Sequence, residues 1–569
     1  MLSRDEAKNR LIGPGLPFEL EEVEIREAVS RVWKNAPHSL RDVFAATGAH
    51  GDDEFLVLDD ERLSYAEHHR LVCRFAHALR ERYAVRKGDR VAIAMRNLPE
   101  WSAAFWAITG IGAIAVPLNA WLTSDELAFC LADSGSRLAV VDARRAEQLA
   151  PRLAELDLNS LIVARSEGKT TADAMDQWED ILAGVPDDAA LPDAAIDPED
   201  DATIFYTSGT TGTPRGAVGT HRNICSNLMS VAYRSALKQL CRGVVPASLG
   251  GEKPHTVTLV PVPFFHVTGC HAIMAPGALS GASLILMHRW NPERALELIE
   301  REKVTNFVGV PGMVAQIMDS PRFRDHDTAS LINIGYGGAP AAPTLPERIA
   351  EQLPQAAAEN GYGLTELSSL VAFNAAETYR CKPDSVGLPL PICDIRIVDD
   401  DGTALPAGAK GEIYVKGPNA VRGYWNQPTA SAQVFHDGWV RTGDIGRLDE
   451  EGCLYVLDRA KDMLIRGGEN VYCVEVENAL CSHPAVTEAA VIGKPHDVLG
   501  QEVAAVVRIS PAQPVNEEEL IAHCAERIAA FKVPVQIDIR REPLPCNANG
   551  KIEKRRLQAE LFPASRSPS

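Results

Sequence analysis

Over most of its length the chain alternates short apolar runs with longer stretches in which apolar residues recur every three or four positions. RVAIAMR (90–96), SRLAVVDA (136–143), SLIVAR (160–165), TVTLVPVPF (256–264), ASLILM (282–287) and TNFVGVP (305–311) read as strands buried on both faces. Between them YAEHHRLVCRFAHALRERY (65–83) and NPERALELIEREK (291–303) carry the helical period. Strand–helix–strand repetition predicts parallel α/β layers. From residue 385 the texture changes to turn-punctuated strands, IRIVDDDGTALP, GEIYVKGP and GCLYVLDR, which predict a smaller, more antiparallel, barrel-like unit. The last stretch is α+β, with helical patterns at VEVENALCSH and EEELIAHCAERIAAF. A boundary near 458–462 divides the expected α/β fold into an N-terminal domain, 1–460, and a C-terminal domain, 461–569. The Pro/Asp/Ala-rich segment 184–200 reads as a surface linker inside the first.

Two uncharged stretches are long enough to span a membrane, 101–124 and, between His266 and His288, 267–287. Gly110, Gly112, Pro117 and Asn119 break the first, and His271 and Pro276 the second, so each is expected to be a helix followed by a buried strand. A chain of 569 residues with 46% hydrophobic and 24% charged positions is expected to be globular and of several cores. A net charge of −20 argues against nucleic acid and anionic membrane surfaces as partners. Twelve cysteines without a C-x-x-C pair point to reduced thiols, and the charged start MLSRDEAKNR to no secretory signal. The expectation is a cytoplasmic protein.

The densest polar signal is Tyr206-Thr-Ser-Gly-Thr-Thr-Gly-Thr-Pro-Arg-Gly216, after the apolar Ile204-Phe205. Glycines let backbone amides approach an anion, and hydroxyls add donors without bulk. Arg215 closes the loop with a cation, so phosphate binding is favoured over a plain surface turn, although the spacing is not a Walker A loop. PFFHVTG (263–269), GGAP (337–340), NGYGLTE (360–366), GEIYVKGP (411–418), RTGD (441–444), DRAKDMLIRGGENVY (458–472) and NGKIEK (549–554) follow in order.

With the loop, these blocks make the chain resemble the adenylate-forming superfamily of acyl-CoA synthetases, peptide-synthetase adenylation domains and luciferases, closest to fatty-acid–CoA ligases. The resemblance covers nearly the whole chain. It implies ATP, Mg²⁺ and coenzyme A as cofactor and co-substrates, and a mobile C-terminal domain turning about Lys461. It assigns Thr207, Ser208, Gly209, Thr210, Thr211, Gly212 and Arg215 to the phosphates. Gly337, Gly338 and Ala339 form an adenine wall with Asn360, Gly361 and Tyr362, while Asp444 and Arg459 take the ribose. Thr365 and Glu366 flank the α-phosphate, Glu366 as metal ligand. Lys551 is the catalytic lysine, His266 a gate and positioner of the acid, and Gly467-Gly468 the channel for the pantetheine arm. Each has a physical reading of its own. A tyrosine stacks on a base, a hard carboxylate suits Mg²⁺, and a point cation suits charge developing on phosphorus. Alone, Asp444, Arg459 and Lys551 would read as solvated surface charges. Arg215 departs from a commoner lysine, and Cys473 stands where proline is frequent.

The implied reaction attacks Mg-ATP with a carboxylate to give acyl-AMP, which a thiol then cleaves. FFHVTGC carries no acid to grip an ammonium group, and GGEN (467–470) resembles acyl-CoA synthetases, so coenzyme A is the expected acceptor. Val267, Thr268, Cys270, Gly309-Val310-Pro311, Tyr336 and Ser368-Ser369-Leu370 are the candidate acid pocket. They are small or apolar without Arg or Lys, which favours an apolar monocarboxylic acid of medium or long chain. An aryl or steroid-type acid is the alternative, and a noncatalytic nucleotide-binding protein of the same fold the reading from a different class. Partners are small molecules, with a homodimer left open.

Overall fold

The computed structural model describes residues 2–166, 175–207, 214–467, 469–510, 513–547 and 551–563. Two large sheets form its bulk. The first has seven strands in the order Arg215–Thr220, Asp201–Thr207, Ile114–Pro117, Arg90–Ala94, Leu138–Asp142, Ser160–Ala164 and Met175–Gln177. All neighbours run parallel except the hairpin Asp201–Thr207/Arg215–Thr220. The second has nine strands, the six central ones parallel: Ala357–Tyr362, Asn333–Gly337, Asn306–Gly309, Val257–Val260, Ser283–Leu286 and Glu54–Leu58. Every apolar run read as a strand is one. Residues in these strands are apolar on both faces because helices cover both, as parallel sheets require.

The uncharged stretch 101–124 begins in helix Pro99–Gly110, every residue of which is buried, and continues into strand Ile114–Pro117. Trp101, Phe105 and Trp106 of that helix pack on one another and on Phe44 and Phe264. Among the described residues no helix is long and apolar enough to cross a membrane. Segment 184–200 is a strap over this helix: Arg41 donates to the carbonyls of Gly110 and Pro192, and Leu191 packs against Gly110. None of the twelve cysteines is in a disulfide.

The smaller unit expected after residue 385 is a five-stranded antiparallel sheet of Asp394–Val398, Gly411–Lys416, Phe435–His436, Trp439–Leu448 and Leu454–Arg459. It shares a core with helix His221–Cys241 and with an N-terminal helix, Arg4–Leu11, whose start is fixed by a Ser3–Glu6 capping box. The last sheet, Leu464–Arg466 to Gln536–Arg540, has five strands and carries helices Cys473–Cys481, Glu517–Ala525 and Lys554–Leu561.

Candidate active site

Strands Asn333–Gly337 and Ala357–Tyr362 lie side by side, pairing Gly337 with Gly361 and Tyr336 with Asn360. Their backbones touch, since a Cβ on Gly337 would meet Gly361 O at 2.5 Å. Gly338 follows with φ +73°, turning the chain before Ala339 and leaving a wall without side chains. Tyr362 ends its strand buried, and its hydroxyl donates to Asp444 Oδ2 at 2.6 Å. Burial, with the Asp444 charge behind it, pushes the tyrosine pKa up. Asp444 sits opposite Arg459 on the neighbouring strand, and Arg459 Nε reaches Asp444 Oδ1 at 2.7 Å. The Asp444 carboxylate in turn holds the guanidinium pKa up. Three sequence blocks thus converge on one carboxylate with both oxygens oriented. Asn360 is buried beside the hydroxyl pair Tyr336–Tyr379, which is 2.8 Å apart.

The Gly/Thr-rich block starts on one strand of the hairpin Asp201–Thr207/Arg215–Thr220 and ends on the other. Thr207 and Arg215 face each other at its base, and the Thr207 hydroxyl lies 3.4 Å from Arg215 O. Ser208, Gly209, Thr210, Thr211 and Gly212 lie outside the described residues. Segment 422–425 pairs with the outer strand through Arg422 N–Val218 O (2.9 Å), Val218 N–Gly423 O (2.9 Å) and Trp425 N–Gly216 O (2.7 Å). That pairing places Tyr424 between Arg215, whose guanidinium is 5.5 Å from the ring centroid, and Glu366, whose Oε1 accepts from the Tyr424 hydroxyl at 2.8 Å. Tyr424 escaped the sequence reading. Its one signal was a glycine before an aromatic pair, Gly423-Tyr424-Trp425.

Thr365 and Glu366 occupy a single helical turn, Thr365–Leu367. Behind it Ser368 and Ser369 have φ of +51° and +104°, and a Cβ on Gly363 would fall 1.3 Å from Ser369 O. Buried amides pin the turn from below: Asn419 Nδ2 donates to the carbonyls of Leu367 and Leu370 at 3.1 Å, and Leu370 N donates to Asn227 Oδ1 at 3.1 Å. Gly363, Asn227 and Asn419 were also missed, because tightness and long-range amide contacts leave no local pattern. Among the described residues no group of three or more His, Cys, Asp and Glu side chains could hold a metal ion. A single carboxylate, Glu366, held by Tyr424 beside the hairpin Asp201–Thr207/Arg215–Thr220, fits Mg²⁺, which keeps most of its coordination for phosphate oxygens and water.

His266 precedes the short helical segment Val267–Gly269, its ring 4.8 Å from that of Phe265 and its Nε2 buried without a partner. Burial, and after it the Lys551 charge, push its pKa down to about 3, so the ring is neutral. Lys551, though exposed, faces the same charges: partial desolvation and Arg459 lower its pKa, Lys461 adds to this, and Asp444 and Glu366 oppose it. The Lys551 backbone is tied to Asn547, with N–H to Oδ1 at 3.1 Å and its carbonyl accepting from Asn547 N at 2.8 Å. Lys461 lies in the turn after Arg459, whose carbonyl accepts from Asp462 N and Met463 N at 3.0 Å. Gly467 turns with φ +59°, where a Cβ would lie 3.1 Å from Leu499 Cδ2, and Gly468 lies outside the described residues.

This constellation matches known proteins over both parts of the chain. The AMP-binding enzyme family matches residues 43–425, and the AMP-binding enzyme C-terminal domain residues 475–551. A feruloyl-CoA synthase of Amycolatopsis sp is 35% identical over 86% of this chain and 92% of its own length. The long-chain-fatty-acid–CoA ligase FadD13 of Mycobacterium tuberculosis is 33% identical over 88% and 93%. The anthranilate CoA ligase AuaEII, solved with anthranoyl-AMP, superposes with a TM-score of 0.82 at 26% identity, over 92% of this chain and 98% of that one. By these matches and by its site, the chain belongs to the AMP-binding enzyme family, on the side of the acid–CoA ligases.

Proposed function

We propose that this enzyme joins an apolar monocarboxylic acid to coenzyme A in two half-reactions. The carboxylate attacks the α-phosphate of ATP and pyrophosphate leaves; the thiol of coenzyme A then attacks the acyl carbon and AMP leaves. The observation that carries the reading is the meeting of Lys551, Arg459, Asp444 and Glu366, from four separate blocks, around one cleft. Asp444, oriented by Tyr362 and Arg459, accepts hydrogen bonds from the ribose diol. Thr365 and Lys551 donate to the α-phosphate, where negative charge develops, and the Gly337–Gly338–Ala339 wall and Tyr362 enclose the adenine. Glu366 and phosphate oxygens would hold Mg²⁺, which when bound neutralises phosphate charge. The acid is already ionised at neutral pH, so no base is required of His266, which positions the carboxylate.

Residues 1–460 and 461–569 act as two domains in this reading, with Lys461 as the pivot. Rotation would retire Lys551 and bring Gly467 and Gly468 to the cleft for the pantetheine arm. The finer reading of the acid is a medium- or long-chain aliphatic one, supported by the small or apolar wall and by the relative named for long-chain fatty acids. An aryl acid is the second reading. It is favoured by the Tyr336–Tyr379 pair, a buried aromatic wall beside Asn360, and by the relative named for ferulate. ATP-dependent pyrophosphate release with coenzyme A, over acids from acetate to long-chain, cinnamate-type and steroidal, tests both. Release with AMP as co-product, strongest for one apolar class, is expected; no release with any acid would refute the ligase reading.

A further inference from the structure

The turn between the two units is bridged by a contact that the chemistry above does not use. Asp458 is buried near the end of strand Leu454–Arg459, and its carboxylate crosses to the first turn of helix Cys473–Cys481. Oδ2 accepts from the backbone N–H of Cys473, and Oδ1 from that of Arg459 at 2.8 Å. The helix has no side-chain cap of its own at Tyr472, so its cap is supplied from across the turn. Further contacts seat this helix within the C-terminal unit. Lys554 pairs with Glu477 at 2.7 Å, Glu477 Oε1 accepts from Val491 N at 2.8 Å, and the Cys473 thiol donates to Asp462 O at 3.0 Å. Lys554 follows Lys551 by three residues, so the seat of this helix also sets where Lys551 stands.

We infer that Asp458 is a positioning residue for acyl-AMP formation: by capping helix Cys473–Cys481 it seats the C-terminal unit in the pose that presents Lys551, and the contact breaks before the thioester step. The inference rests on the two-half-reaction reading. Burial pushes the Asp458 pKa up to about 6, with Glu477 adding to it and Lys554 and the N–H donors of Arg459 and Cys473 opposing it. Tyr472, the Cys473 thiol and Asp462 are the other titratable groups around it. A carboxyl that holds its proton more tightly when seated than in open water favours the seated pose as pH falls through 6. Above that pH the buried charge makes release easier. Acid therefore slows the thioester step through Asp458 and spares acyl-AMP formation.

Three variants separate these effects. Asp458→Ala removes the acceptor. Cys473→Pro removes the donor at a first-turn position that tolerates proline. Asp458→Asn keeps an acceptor without the charge. Single-turnover rates are measured from pH 5 to 8 for acyl-AMP formation and for thioester formation from supplied acyl-AMP, alongside tryptic cleavage at Lys461. Asp458→Ala and Cys473→Pro are expected to slow acyl-AMP formation about tenfold, leave the thioester step intact and speed cleavage. The double variant should be no slower than either single one. Asp458→Asn should keep acyl-AMP formation and slow the thioester step at every pH, abolishing its limb near pH 6. Equal loss of both half-reactions, additive losses in the double variant, or unchanged cleavage would overturn the inference. If wild type forms no acyl-AMP with any acid, the ligase reading fails on its own, and cleavage still decides the seating.

Discussion

The closest backbone approach in the site makes Gly363 its most sensitive residue. In Gly363→Ala the new methyl would begin 1.3 Å from Ser369 O and 2.4 Å from the Ser369 carbonyl carbon. Ordinary contact is about 3.5 Å, so the carbonyl has to retreat by roughly 2 Å. The segment has little slack to give. Ser368 and Ser369 already hold positive φ, and Asn227 and Asn419 fix Leu367 and Leu370 from the other side. The displacement therefore falls on the turn Thr365–Leu367, which carries Thr365, the proposed α-phosphate donor, and the Glu366 carboxylate held by Tyr424 at 2.8 Å. A misplacement of about 1 Å costs on the order of 100-fold in rate, so acyl-AMP formation should drop at least that far. Gly312→Ala is the control, because a Cβ there meets nothing within 4 Å. Single-turnover acyl-AMP formation, with circular dichroism to establish folding, is the assay. A folded Gly363→Ala enzyme within about threefold of the Gly312→Ala rate would refute the argument.

Two further outcomes follow from the same structure. Tyr424→Phe removes the hydroxyl from Glu366 Oε1 and keeps the ring under Arg215, so it should raise the Mg²⁺ concentration needed for half-maximal pyrophosphate release by about tenfold; an unchanged Mg²⁺ titration would place Tyr424 outside the metal's surroundings. Burial holds His68, His221 and His271 neutral, with pKa values of about 3, 4 and 3, against 6.5 in the unfolded chain. Their contribution is complete above pH 6.5 and is lost as pH falls below it; at pH 5.5 the three together should cost about 4 kcal/mol, read as a lower urea midpoint than at pH 7.5, and equal midpoints would contradict it.

What the sequence disclosed follows from how local each signal is. Strands such as Arg90–Ala94 and Leu138–Asp142 are apolar on both faces, so composition alone marks them. The hairpin Leu20–Ile25/Ala28–Trp33, with four charged residues among its twelve strand positions and only Ile25, Val32 and Trp33 buried, went unread. In the site, Asp444, Tyr362 and Glu366 lie inside compact blocks whose types and spacing announce them. Tyr424 meets Glu366 across 58 residues only because segment 422–425 joins the hairpin edge. Asp458 was visible within DRAKD, yet its partner is a backbone N–H fifteen residues on, which no side-chain pattern encodes.

In the proposed cycle one cleft runs two chemistries, and Lys551 serves the first. The most direct measurement compares wild type with Lys551→Ala, using mass spectrometry to follow acyl-AMP from acid and ATP, and thioester from supplied acyl-AMP and coenzyme A. Wild type is predicted to carry out both, and Lys551→Ala to form no acyl-AMP while still converting supplied acyl-AMP to thioester. Equal loss of the two half-reactions, or acyl-AMP formation at the wild-type rate, would contradict it.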